Sequence, residues 1–228
     1  MLFIIFTYER EQMLSRLLKS MQFSSFDVMV IDDGSEWSKE NIGTKLDITS
    51  SLMPEFIRTI HEGKKGFWKK WLIAQQIALG SEHEWFCFLN DDLTNIDLKA
   101  IEAISKQPWK EMCFAMNLLN CGERYRWGKH QDTQPPFELA DRTWSQCDYV
   151  DGNFITNRTT LETLDIDPVP LSWFDRPDKS SGVGYQMTMK LRKVGCTMML
   201  PDKSLAYHGD HNSVMHFEHR KKIKLISK

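Results

Sequence analysis

The 228-residue chain is poor in the features that mark several large protein classes. Its five cysteines, Cys87, Cys113, Cys121, Cys147 and Cys196, are odd in number and include no CxxC pair. Neither a complete disulfide framework nor a thiolate zinc site is indicated, and a reducing, cytoplasmic setting is the expectation. No apolar run approaches about 18 residues, so no spanning helix is expected. The apolar opening, residues 1–8, lacks a positive n-region and meets Glu9, Arg10 and Glu11 at once, so it reads as a buried first strand rather than a leader. Positive charge is not in surplus either. The 29 basic residues against 31 acidic ones leave a net charge of −2, which gives no overall field to gather nucleic acid. The chain has no GxxxxGK[ST] loop and no HExxH pair, and no internal repeat or low-complexity block.

What is present fits one globular unit. A hydrophobic fraction of 41% beside a charged fraction of 26% is ordinary for a packed domain of this length. Short apolar runs at residues 2–7 and 26–31 flank a segment with Leu14, Leu17, Leu18 and Met21 at helical spacing. That order predicts strand, helix, strand with a parallel crossover. A strand at 56–60, a helix at 67–79 stopped by Gly80, a strand at 85–89, a helix at 97–106 and a strand at 111–118 continue the alternation. The expected fold class is α/β with a mostly parallel central sheet and a nucleotide-binding first half. From about 120 to 147 the periodicity fades, which predicts a long active-face loop. A strand at 149–156, a helix at 182–194 and a strand at 196–200 follow. One domain over 1–215 and a basic tail over 216–228 complete the expected organisation.

Two acidic clusters end predicted strands, where open parallel sheets bind their ligands. Asp32 and Asp33 precede Gly34 and Ser35; carboxylates there can accept from a base N–H or a ribose hydroxyl, and Gly34 lets the chain turn away. An ordinary polar turn is the plain alternative. Asn90, Asp91 and Asp92 form the second cluster. Hard oxygen ligands suit Mn²⁺ or Mg²⁺, and neighbouring side chains on an extended strand diverge. Asp92 is therefore the first choice as metal ligand, while Asp91 contacts ribose or a nearby cation. His208 and His211 can complete a mixed carboxylate and imidazole shell. Lys64, Lys65, Lys69 and Lys70 surround Gly66 before the predicted helix, and one or two of them can meet donor phosphates. Lys65 and Lys69 are the ones chosen.

Taken in order, FTYEREQMLSRLLKSM, VIDDGS, the helix after KKGFW, FLNDDL, VDGNFITNRTTLETL, and GVGYQMTMKLRKVG followed by AYHGDH resemble the A-type glycosyltransferase (GT-A) fold, particularly its family-2-like group. The resemblance implies a GT-A-like three-layer sandwich and metal-dependent transfer from a nucleotide-sugar, expected to be a UDP-sugar, to a hydroxyl on a glycan. It implies that Thr7, Tyr8 and Glu9 lie by the nucleotide, that Asp32 recognises the base with Asp33 nearby, and that Asp91 and Asp92 form the ribose and metal element. Gly152 and Asn153 match the passage past donor sugar or acceptor, and His208 matches a late metal-ligating histidine. One departure is consequential: the acidic pair that commonly precedes the late helix is replaced by Gly182-Val-Gly-Tyr185. Asp178, then Asp151, are the substitute general bases, and Asp175 is a further one; the departure also leaves a retaining path open.

The acceptor is less constrained. Tyr125, Trp127, Trp144, Trp173 and Phe174 can stack on a sugar or base, with Arg124, Arg126, Lys129 and Arg142 available to phosphate. The basic tail allows contact with a DNA backbone or peripheral contact with an anionic membrane. Glycosylation of hydroxymethylated DNA, nucleotidyl transfer and noncatalytic nucleotide or sugar binding stand as alternatives to a glycan acceptor.

Overall fold

The computed structural model describes residues 1–21, 24–39, 54–109, 111–120, 135–150, 152–166 and 182–208, the side chains of 63–65 excepted. An inner strand of the sheet is β1 (Leu2–Thr7), whose six residues are all buried. Such a run without alternation is what a strand covered on both faces requires. β1 lies between two parallel neighbours, β2 (Asp27–Asp32) and β4 (Trp85–Asn90), with β3 (Glu55–Arg58) parallel beyond β2. The crossover from β1 to β2 is α1 (Glu11–Met21), which buries the four apolar residues that its spacing predicts, Leu14, Leu17, Leu18 and Met21.

Strand alternation sorts the core into two layers. Phe3 and Ile5 face α1 and α3 (Leu98–Ser105), packing with Leu17, Ile101 and Ile104. Leu2, Ile4 and Phe6 face the other way, onto α2 (Gly63–Gly80), α4 (Arg158–Thr163) and α5 (Val183–Lys193) through Trp68, Trp71, Leu161 and Leu191. Helices thus cover both faces of one central sheet, the three-layer α/β arrangement that the sequence predicts. Local caps agree with it: Asp97 accepts from the Ala100 amide at 3.0 Å at the start of α3, and Asn157 from the Thr160 amide at 3.0 Å at the start of α4.

The sheet is mixed beyond β4. β9 (Phe154–Asn157) runs antiparallel between β4 and β6 (Phe114–Asn117), and β10 (Thr197–Pro201) is parallel to β6. β7 (Phe137–Leu139) and β8 (Arg142–Gln146) form a hairpin whose second strand pairs with β10, completing a nine-stranded sheet. This corrects the expected loop over 120–147: residues 137–146 extend the sheet, and the pairing that fixes them is with a strand some fifty residues later, beyond the reach of local periodicity. Trp144, read as an acceptor-stacking aromatic, is fully buried there, and Arg142 is bound to Asp97 at 2.7 Å. The helix expected at 67–79 begins at Gly63, so the lysines read as lying before it sit on its first turns. Two short strands, β5 (Leu93–Thr94) and β11 (Tyr207–His208), pair in a separate sheet.

Candidate donor and metal site

Strand register brings the functional residues to one rim. Thr7 is level with Asp32, and Phe6 with Asn90, so the carboxyl ends of β1, β2 and β4 finish together. The amides of Asp33 and Asp91 continue the ladder past these ends, donating to the carbonyls of Thr7 and Phe6. β9 contributes to the same rim because it is antiparallel. Its amino end, with Gly152 and Asn153, arrives beside Asn90: the Asn90 amide donates to Asn153 Oδ1 at 2.7 Å, and the Asn90 side chain faces Gly152.

Asp32 is fully buried, and its oxygens are already held by the Ser35 amide at 3.0 Å, the Ser35 hydroxyl at 2.5 Å and the Ser38 hydroxyl at 2.5 Å. Such a carboxylate shapes the turn. Gly34 is required in that turn, with φ at +75° and a space in which a Cβ would lie 2.8 Å from the Thr59 carbonyl oxygen. Asp33 is equally enclosed. One oxygen is ion-paired with Lys70 Nζ, and the other lies 2.8 Å from His61 Nδ1. Lys70 is 1% exposed and sits over the Phe67 ring, 5.4 Å from its centroid. Burial pushes its ammonium below the usual lysine range while Asp33 pulls it back up. His61 stacks on Tyr8 with ring centres 4.1 Å apart and planes 6° from parallel. Glu9, at φ +51°, donates its amide to Ser35 Oγ and accepts from the Glu36 amide.

The second acidic pair is organised around a residue that the sequence reading left out, Arg10. Its Nη1 lies 2.9 Å from Asp91 Oδ1 and 3.2 Å from Asp92 Oδ2. The other Asp91 oxygen accepts from Thr7 Oγ1 at 2.7 Å. Burial raises the Asp91 carboxyl to about 6, against the lowering effect of Arg10 and Thr7. Pairing of β11 with β5 returns the chain to this point, where His208 Nδ1 is 3.5 Å from Asp92 Oδ1. Among the described residues no group of three or more His, Cys, Asp or Glu side chains forms a metal cluster. A carboxylate with one imidazole nevertheless suits Mn²⁺ or Mg²⁺, which bind through one or two protein ligands and take the rest from phosphates and water. Asp92 and His208 therefore fit such an ion.

The sequence-predicted residues Thr7, Tyr8, Glu9, Asp32, Asp33, Asp91, Asp92, Gly152, Asn153 and His208 all meet at this rim. Lys69 does not join them; it is exposed and pairs with Glu62. The buried lysine of the site is Lys70, and only the helical phase from Trp68 and Trp71 could have signalled it. The side chain of Lys65, and Asp151, Asp178 and His211, lie outside the described residues. So do Trp127, Trp173 and the basic tail. Asn153 is 1% exposed, and its Nδ2 has no hydrogen-bond acceptor among the described residues. The departure at the late helix has a packing counterpart: a Cβ on Gly184 would lie 2.5 Å from the Tyr149 hydroxyl. Among the described residues no helix is long and apolar enough to cross a membrane.

No family model and no curated protein matches the chain. Among solved structures, it is similar to the 1–349 portion of S. aureus TarS, with a TM-score of 0.58 and 16% identity over 91% of this chain. The chain spans 60% of the length of that structure. It is also similar to glucosyl-3-phosphoglycerate synthase from Mycobacterium tuberculosis in complex with Mn²⁺ and UDP-glucose, with a TM-score of 0.51 and 12% identity over 99% of this chain and 77% of that one. At such identities the likeness is one of fold, and the fold is GT-A-like.

Proposed function

We propose that the chain is a glycosyltransferase that moves a sugar from a nucleoside-diphosphate sugar, a UDP-sugar first, to a hydroxyl acceptor with the help of Mn²⁺ or Mg²⁺. The observation that carries this reading is the meeting of Asp92, His208, Asp91 and Arg10 beside the Asp32 and Asp33 turn at the carboxyl rim of β1, β2 and β4. The mycobacterial synthase, to which the chain is similar in fold, forms a complex with Mn²⁺ and UDP-glucose.

Each residue then has a task. Asp92 and His208 hold the divalent ion, which when bound neutralises the departing diphosphate. Asp91 fixes Arg10 and Thr7 around it. The Tyr8 and His61 rings offer a flat face to the base, with His61 oriented by Asp33 and Asp33 by Lys70. Asn153 Nδ2, a buried donor that costs about 1–3 kcal/mol if left unmet, donates to the sugar or its phosphate. The acceptor hydroxyl gives up its proton as it attacks the anomeric carbon, and in an inverting path Asp178 or Asp151 receives it. The acceptor is a glycan. A single domain over 1–215 carries all of these groups.

The test is release of nucleoside diphosphate from UDP-sugars in the presence of glycan acceptors, with and without metal. Nucleoside diphosphate rather than pyrophosphate is the expected product, and Asp92→Asn abolishes the metal-dependent part while leaving the fold intact. Asp178→Asn and Asp151→Asn assign the base. Undiminished metal-supported turnover by folded Asp92→Asn removes Asp92 from its task.

A further inference from the structure

We propose that Arg10 is a resident counter-cation that makes divalent-metal binding at Asp92 depend on the nucleotide; this rests on the donor-site reading above. A single guanidinium nitrogen bridges the two carboxylates, at 2.9 Å from Asp91 and 3.2 Å from Asp92. The Arg10 side chain is 13% exposed and those of the two acids 4% and 6%, so the three charges meet where water screens them weakly. The formal charge of the cluster is −1, from two carboxylates and one guanidinium.

That balance works against an ion arriving alone. A divalent cation approaching Asp92 finds one oxygen facing His208 and the other already bound to a positive group. Arg10 is not free to leave, because Asp91 grips it from a position that Thr7 fixes in turn. A nucleoside diphosphate changes the balance. Its phosphates bring negative charge and oxygen ligands to the ion, and they give the guanidinium fork an acceptor of the shape it binds best. Ion and nucleotide therefore raise one another's affinity, by the same factor in each direction. Arg10 is a positioning residue in this account: it suppresses the metal-only state and favours arrival of both components together.

A purely structural Arg10, present only to neutralise two buried acids, makes a different prediction. Its loss would destabilise the fold and would change Mn²⁺ affinity by the same factor with and without nucleotide, leaving the gain from UDP unchanged. The proposed role instead predicts that metal binds better without nucleotide once Arg10 is gone.

The experiment is a titration of Mn²⁺ with the full chain, read by the electron paramagnetic resonance of the free ion, with and without saturating UDP. Wild-type protein, Arg10→Gln and Arg10→Lys are compared at about pH 8, well above the ordinary carboxylate range, with folding checked by circular dichroism. In the wild type, UDP tightens Mn²⁺ binding about tenfold or more. In Arg10→Gln, Mn²⁺ alone binds about fivefold tighter than to the wild type, and the gain from UDP shrinks. Arg10→Lys keeps the charge and returns both values toward the wild type. Equal Mn²⁺ affinity with and without UDP in the wild type overturns the proposal and needs no variant to fold. Weaker Mn²⁺ binding by folded Arg10→Gln under both conditions also overturns it. If the wild type binds neither Mn²⁺ nor UDP, the donor-site reading falls and the inference falls with it.

Discussion

Replacing Lys70 by Met tests whether the base side of the rim is built outward from the core. Lys70 and Asp33 are 1% and 3% exposed and share an ion pair, so the substitution leaves a buried carboxylate whose remaining side-chain contact in the described structure is His61 Nδ1. Removing one member of a buried pair costs about 3–5 kcal/mol, because the survivor is not resolvated. Removing both costs far less. Lys70→Met is therefore expected to lose about 3–5 kcal/mol in urea unfolding, and Lys70→Met with Asp33→Asn is expected to recover most of it. His61 loses its orienting carboxylate in the double variant, so nucleotide affinity stays low even though stability returns. A double-mutant cycle read by urea midpoint, with UDP binding measured on the same proteins, separates the two effects. Additive losses, or a single variant within about 0.5 kcal/mol of the wild type, would refute the reasoning.

Two further outcomes follow from local geometry. Asp91, raised to about 6 mainly by burial and held down by Arg10, should titrate near that value by ¹³C NMR of its carboxyl, and Arg10→Gln should move it higher. Because the folded state holds this proton more tightly, the group's contribution to stability, up to ~3 kcal/mol, is full below about pH 4 and is lost as the pH rises through 6. Gly34→Ala forces a side chain into a left-handed turn against the Thr59 carbonyl and the His61 amide, so a loss of about 1–3 kcal/mol in urea unfolding is expected, with weakened UDP binding as His61 shifts.

The carboxyl rim was legible because two signals coincide there. Buried parallel strands show as unbroken apolar runs, and the acidic residues that interrupt them mark where the chain leaves the core: Val30 and Ile31 give way to Asp32, and Phe88 and Leu89 to Asn90 and Asp91. Tertiary partners were not legible. Arg10 is one charged residue among several after β1, and only the strand register sets it between Asp91 and Asp92. The sequence offers Lys65 and Lys69 as phosphate contacts, whereas the helix begins at Gly63 and turns Lys70 inward with Trp71. The hairpin of β7 and β8 is fixed by pairing with β10, a contact with no local signature. Gly184 lies in the stretch that replaces the acidic pair, where a Cβ would lie 2.5 Å from the Tyr149 hydroxyl.

The central claim is that this rim binds a nucleoside diphosphate through a divalent ion. Calorimetric titration of UDP into the purified protein with Mn²⁺, repeated after metal removal with EDTA, tests it most directly. Saturable binding that requires the ion is the predicted result. Equal binding in EDTA, or no binding of UDP and of the other nucleoside diphosphates under either condition, would contradict it.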